Sequence, residues 1–204
     1  LDFCDLHPRT ANPMKFDIPQ PIRRQARAPH ELAMINLLLF NLLMLIALLA
    51  GSFLPSGSAL ADYKILGVLA PGLVSLGIIG YSFRRAARAS GRGPWFVAAH
   101  WRLATGRYRI LLIAYLVGAA LIGLGWLLSQ LQADPRMASL MFLALQRVAV
   151  APMLITLMVL IMLESGAIYL AEQGQVPDSL ARRLPPPAEL QPLDACDSQS
   201  GSAE

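Results

Sequence analysis

The stretch Ile110–Leu131, ILLIAYLVGAALIGLGWLLSQL, decides the fold class. It runs for twenty-two residues without a charge. At about 1.5 Å of rise per residue it reaches roughly 33 Å, enough to cross a hydrocarbon layer of about 30 Å. Working outward, three more apolar tracts lie at about 35–54, 65–83 and 143–168. The composition agrees: 55% of the chain is apolar and 15% charged, with a mean hydropathy of +0.51, where a soluble domain carries about a quarter charged residues. The chain therefore reads as an all-α integral membrane protein with four transmembrane helices.

The charges that remain set an orientation. Of the seventeen basic residues, five precede the first tract and seven arginines (Arg84, Arg85, Arg88, Arg92, Arg102, Arg107, Arg109) fall between the second and third. The other two connections hold only Lys64 and Arg136, and Arg182 and Arg183 follow the last tract. Basic residues stay on the cytoplasmic side, so every segment agrees with N-in, C-in and with an even number of spans. Short connections and this asymmetry suggest a multi-pass protein of a bacterial inner membrane. The net charge of +4 then reports topology, and no nucleic-acid-binding fold stands behind the arginines.

Four regions follow. Residues 1–33 read as a Pro-rich cytoplasmic arm, since Pro8, Pro13, Pro19, Pro21 and Pro29 interrupt any helix. Met14-Lys15 reads as an alternative start that leaves residues 1–13 outside the native chain. Residues 34–172 form the transmembrane domain, within which 84–109 is a cytoplasmic cationic aromatic loop. Residues 173–204 read as a Pro-rich, acidic, disordered tail, with too little apolar surface to offset the entropy of ordering. Ala59-Leu60-Ala61 has the small-x-small form of a cleavage site, but the tract before it is longer than a secretory signal core and reads as a retained span.

Candidate surfaces sit at the ends and faces of the spans. Aromatic rings and arginine stems favour the headgroup layer, so Arg84, Arg85, Arg88, Trp95, His100, Trp101 and Arg102 are candidate interfacial or anionic-lipid contacts. Small residues let helix backbones approach, which makes Gly118 (four after Ala114) and Gly123 (four after Ala119) candidate packing positions. Gly72 joins them beside Pro71, where a kink or unwound turn is expected, and Asn41 is a candidate interhelical hydrogen-bond donor. Arg147 and Glu164 flank sixteen uncharged residues, about 24 Å of helix, so both reach the interfaces; the alternative makes them a candidate intramembrane polar site.

Most membrane chemistries lack their residues. His7, His30 and His100 all lie outside the expected spans, which argues against a bis-histidine haem in the bundle. Cys4 and Cys196 are unpaired by spacing, and no ExxH pair, aspartyl pair or phosphate loop is present. The sequence thus predicts no catalytic, cofactor-binding or metal-binding residues. It reads as a non-catalytic integral membrane subunit or assembly factor of a larger complex. Its partners would be membrane lipids, other integral membrane proteins of a hetero-complex and a cytoplasmic protein at the loop or tail. The alternative is a small homo-oligomeric transporter or channel.

Overall fold

The computed structural model describes residues 13–50 and 64–193. The expectations for residues 1–12, for the Ala59–Ala61 motif and residues 51–54 of the first tract, and for the acidic end of the tail lie outside the described residues. Four helices are long and apolar enough to cross a membrane, spanning Gln20–Ala50, Ile65–Ala89, Trp95–Gln130 and Pro135–Gln173. Their lipid-like surface is extensive: Leu116 and Met162 are 71% and 75% exposed.

The first helix starts far earlier than the prolines suggested. Helix α1 (Gln20–Ile35) begins with Pro21 in its opening turn, where a missing N–H costs nothing, and carries Pro29 in its interior. Ala26, Pro29, His30 and Ala33 form one buried face. A π-helical segment, Asn36–Asn41, follows before α2 (Leu42–Ala50). Widening the turn to five residues stacks Asn36 over Asn41 on the inner side, and both are buried. Residues 20–33, expected as an arm, are therefore the first half of a continuous helix.

The expected cationic loop is also helical. Helix α3 (Lys64–Arg92) and helix α4 (Trp95–Gln130) continue the second and third spans into it, leaving Gly93-Pro94 as the connection. Pro71 lies inside α3 and is buried, with the helix unbroken through Gly72. No unwound turn exists there. Helix α5 (Pro135–Gln173) opens on Asp134, whose side chain accepts from the Arg136 N–H at 2.9 Å.

Helix α5 ends at Gly174, and here glycine is required. Its φ is +70°, and an added Cβ would sit 2.8 Å from the Phe16 carbonyl oxygen. That turn lets β1 (Met14–Lys15) pair antiparallel with β2 (Gln175–Val176). A short helix, α6 (Asp178–Arg183), follows, and the Trp95 indole N–H donates to the Leu184 carbonyl at 3.0 Å. Phe16, Ile18, Phe96, Ala171, Val176 and Ala181 thus bury a second small core at the arginine-rich end, apart from the Leu37, Leu45, Leu111, Leu157 and Leu160 core between the spans. The described part of the tail expected to be disordered, residues 173–193, instead packs as β2 and α6 because it has this core to join.

Candidate functional site

The two cores meet at Glu164. It stands on α5 with its side chain 1% exposed, and its Oε2 lies 2.6 Å from His30 Nδ1 of α1 and 3.2 Å from Arg107 Nη1 of α4. The arginine contact is an ion pair, since Nη1 makes no directed hydrogen bond among the described residues. His30 Nε2 in turn lies 2.9 Å from His100 Nδ1, and His100 Nε2 lies 3.3 Å from the Gln175 carbonyl oxygen. The imidazoles meet edge to face, and the Phe96 ring packs 4.7 Å from His100. A buried carboxylate is tolerated only when opposite charge and hydrogen bonds replace its lost water, which His30 and Arg107 supply.

A second polar group lies farther along the bundle. Asn41 Nδ2 donates to the Asn36 carbonyl at 2.9 Å and to Ser75 Oγ at 3.1 Å, and the Tyr115 hydroxyl donates to Asn41 Oδ1. Because the Tyr115 hydrogen is so committed, the 2.8 Å contact between Ser75 and Tyr115 has serine as donor. Asn41, Ser75 and Tyr115 therefore form a closed ring that ties the first helix to α3 and α4. Between this ring and Glu164, the Tyr108 hydroxyl is buried beside Ser82 and the Asn36 amide.

The sequence-derived candidates separate. Asn41 is an interhelical donor as expected from its type, and Gly72 and Gly118 pack on Met44 and Met153, each with the sulfur 3.4 Å from an added Cβ. Gly123 packs on nothing within 4 Å, whereas Gly125, seven residues after Gly118, faces Leu145 so closely that a Cβ would come within 2.9 Å. Arg147 and Glu164 do not form a joint site: Arg147 is exposed, about 25 Å along α5 from the buried Glu164. His100 and Trp95 pack inward, the first into the Glu164 cluster and the second onto Phe16, at 5.2 Å between ring centres.

The remaining cationic residues line three clefts. Arg84, Arg85 and Arg88 border one of about 570 Å³ with Gly77, Gly80 and Tyr81 on α3. Arg85, Arg88 and Trp101 line another of about 310 Å³. Arg102 lines a third, of about 460 Å³, with Arg109 and Arg183. Among the described residues, no group of three or more His, Cys, Asp and Glu side chains is placed to hold a metal ion. Glu164, His30 and His100 bond to one another in a line rather than converging on a point.

Sequence reasoning missed the histidine pair because Pro29 was read as a helix breaker. One signal was present: Ala26, Pro29, His30, Ala33 and Leu37 recur at helical spacing, a face that continues into the first apolar tract. No protein-family model, curated protein or solved structure matches this chain.

Proposed function

We propose that the chain is a non-catalytic integral membrane subunit or assembly factor of a larger bacterial inner-membrane complex, with both termini and the arginine-rich end in the cytoplasm. The carrying observation is the outer face of α3. Gly77 and Gly80 have open space where a Cβ would stand, and with Tyr81, Arg84, Arg85 and Arg88 they line the cleft of about 570 Å³. Lipid tails supply no hydrophobic force between helices, so association relies on close backbone approach at small residues. The glycine half of the cleft fits a transmembrane helix of a partner protein. The arginine half fits that partner's acidic flank or an anionic headgroup.

Orientation in this reading is supported by the arginine distribution, which favours the α3–α4 connection and both ends of the chain on one cytoplasmic side. The ordered β1–β2–α6 cap then offers a protein surface there. A small homo-oligomeric transporter or channel is the second reading, favoured by one observation: an ionisable cluster inside a helix bundle. Against it, the apolar cavity between the helices is lined by none of Asn41, Gly72 and Glu164 among the described residues, and α3 is not unwound at Pro71.

Photo-crosslinking in native membranes tests the docking face. A photoreactive residue in place of Tyr81 should give a discrete adduct with a different membrane protein, and one in place of Leu116 should give mainly lipid adducts. Self-adducts alone at position 81, or lipid adducts at both positions, would contradict the reading.

A further inference from the structure

The hydrogen bonds around Glu164 determine where the protons sit. The Gln175 carbonyl only accepts, so the ring nitrogen facing it at 3.3 Å, His100 Nε2, carries a hydrogen. A neutral His100 then presents a bare lone pair at Nδ1, and the nitrogen 2.9 Å away, His30 Nε2, must carry the hydrogen between them. His30 Nδ1 faces Glu164 Oε2 at 2.6 Å, with a single proton in that gap. On nitrogen, it makes His30 an imidazolium beside a carboxylate. On oxygen, both groups are neutral.

We propose that Glu164, His30 and His100 form a one-proton relay, a proton-transfer site running from the bundle interior to the Gln175 carbonyl at the arginine-rich end. One step breaks the His30 Nδ1–H bond and forms Glu164 Oε2–H. The other breaks His30 Nε2–H and forms His100 Nδ1–H, leaving His30 neutral and His100 an imidazolium. No electrons are exchanged and no heavy atom needs to move, so the extra proton has three stations. Its substrate is the proton alone, and the inference does not depend on which protein docks at α3.

The groups facing the relay come from each element packed on it. From α4, Arg107 stands 3.2 Å from the accepting carboxylate oxygen and its charge also faces His100, while Tyr108 is the next buried hydroxyl. From α1, Arg27 is engaged by Glu31 at 2.9 Å and by Glu172 of α5 at 2.7 Å, so both acids are neutralised outside the relay. From β2 the Gln175 carbonyl faces the relay. Gln175 is half-buried, which puts the outer end of the relay at the protein surface.

Nitrogen-15 NMR of the histidine-labelled full chain in bilayers tests this. The expected spectrum shows a through-hydrogen-bond coupling between His30 Nε2 and His100 Nδ1. His30 Nδ1 should be in exchange between protonated and bare states. In Glu164→Gln, whose amide donates to Nδ1 but takes no proton, that exchange should vanish and His30 should settle as a neutral Nε2–H ring. Unchanged His30 signals in Glu164→Gln, or no coupling between the rings in the unaltered chain, would overturn the relay. Should the variant not fold, infrared difference spectra of the unaltered chain from about pH 5 to 9 decide the matter. A protonated-carboxyl band that moves on carbon-13 glutamate labelling supports the relay, and its absence overturns it.

Discussion

His30 Nδ1 and Glu164 Oε2 approach to 2.6 Å although 134 positions separate them in the chain. This contact joins the first and last long helices at the level where the span core meets the terminal cap. Neither side chain is more than 1% exposed. Removing one partner would leave Glu164 with Arg107 alone, or His30 with His100 alone, in a place closed to water.

Replacing His30 with Ala leaves the buried Glu164 carboxylate with Arg107 alone and should destabilise the protein by about 3–4 kcal/mol, toward the lower end of the cost of breaking a buried ion pair. Glu164→Gln keeps a donor toward the ring and should cost only about 1–3 kcal/mol. Equilibrium unfolding in detergent measures both. Equal losses for the two variants would show that the pair is not ionised in the folded state.

Gly174→Ala combines a left-handed backbone with a Cβ 2.8 Å from the Phe16 carbonyl, so neither strain nor space can be relieved locally. The expected outcome is release of the β1–β2 pairing, with rapid proteolysis at the α5–β2 junction while the spans stay intact. An unaltered digestion pattern would contradict this view of the cap.

Two glycines on α4 should behave oppositely. Gly125→Ala pushes against Leu145, where the Cβ atoms would come within 2.9 Å, and should loosen α4 from α5 by about 1–3 kcal/mol. Gly123→Ala meets nothing within 4 Å and should leave stability unchanged or slightly raised. Thermal melting of both variants in one detergent gives the comparison, and identical melts would mean that the α4–α5 face is assigned wrongly.

Tyr115→Phe opens the ring formed with Asn41 and Ser75. Hydrogen bonds between membrane helices average about 0.6 kcal/mol and reach about 1.7, and the upper end is expected because Asn41 Oδ1 loses its donor in a buried place. Unfolding of the variant should shift by that amount, and an Asn41→Leu background should abolish the effect.

How much of this was legible before the structure depended on the signal each element uses. The four spans were legible because uncharged length is all that a bilayer demands of a helix, and Gly118 and Asn41 followed from residue type and spacing. The boundaries were not. Pro21 and Pro29 break a helix only where an N–H is needed or a neighbour clashes, and sequence does not state which turn a proline occupies. The tail after Gly174 is too polar to fold alone, and its order comes from Phe16, Phe96 and Ala171, supplied by distant segments. Glu164 was read first as an interfacial acid, with a polar site inside the bundle as the alternative, because its partners His30, Arg107 and His100 arrive only through tertiary packing.

The central claim is that the chain is one subunit of a hetero-complex, and the most direct test is the intact mass of the protein extracted from native membranes in mild detergent. The account predicts a discrete mass holding this chain in fixed stoichiometry with different membrane proteins, lost when Gly77 and Gly80 are both replaced by Leu. A lone monomer or homo-oligomer, unaffected by those replacements, would contradict it.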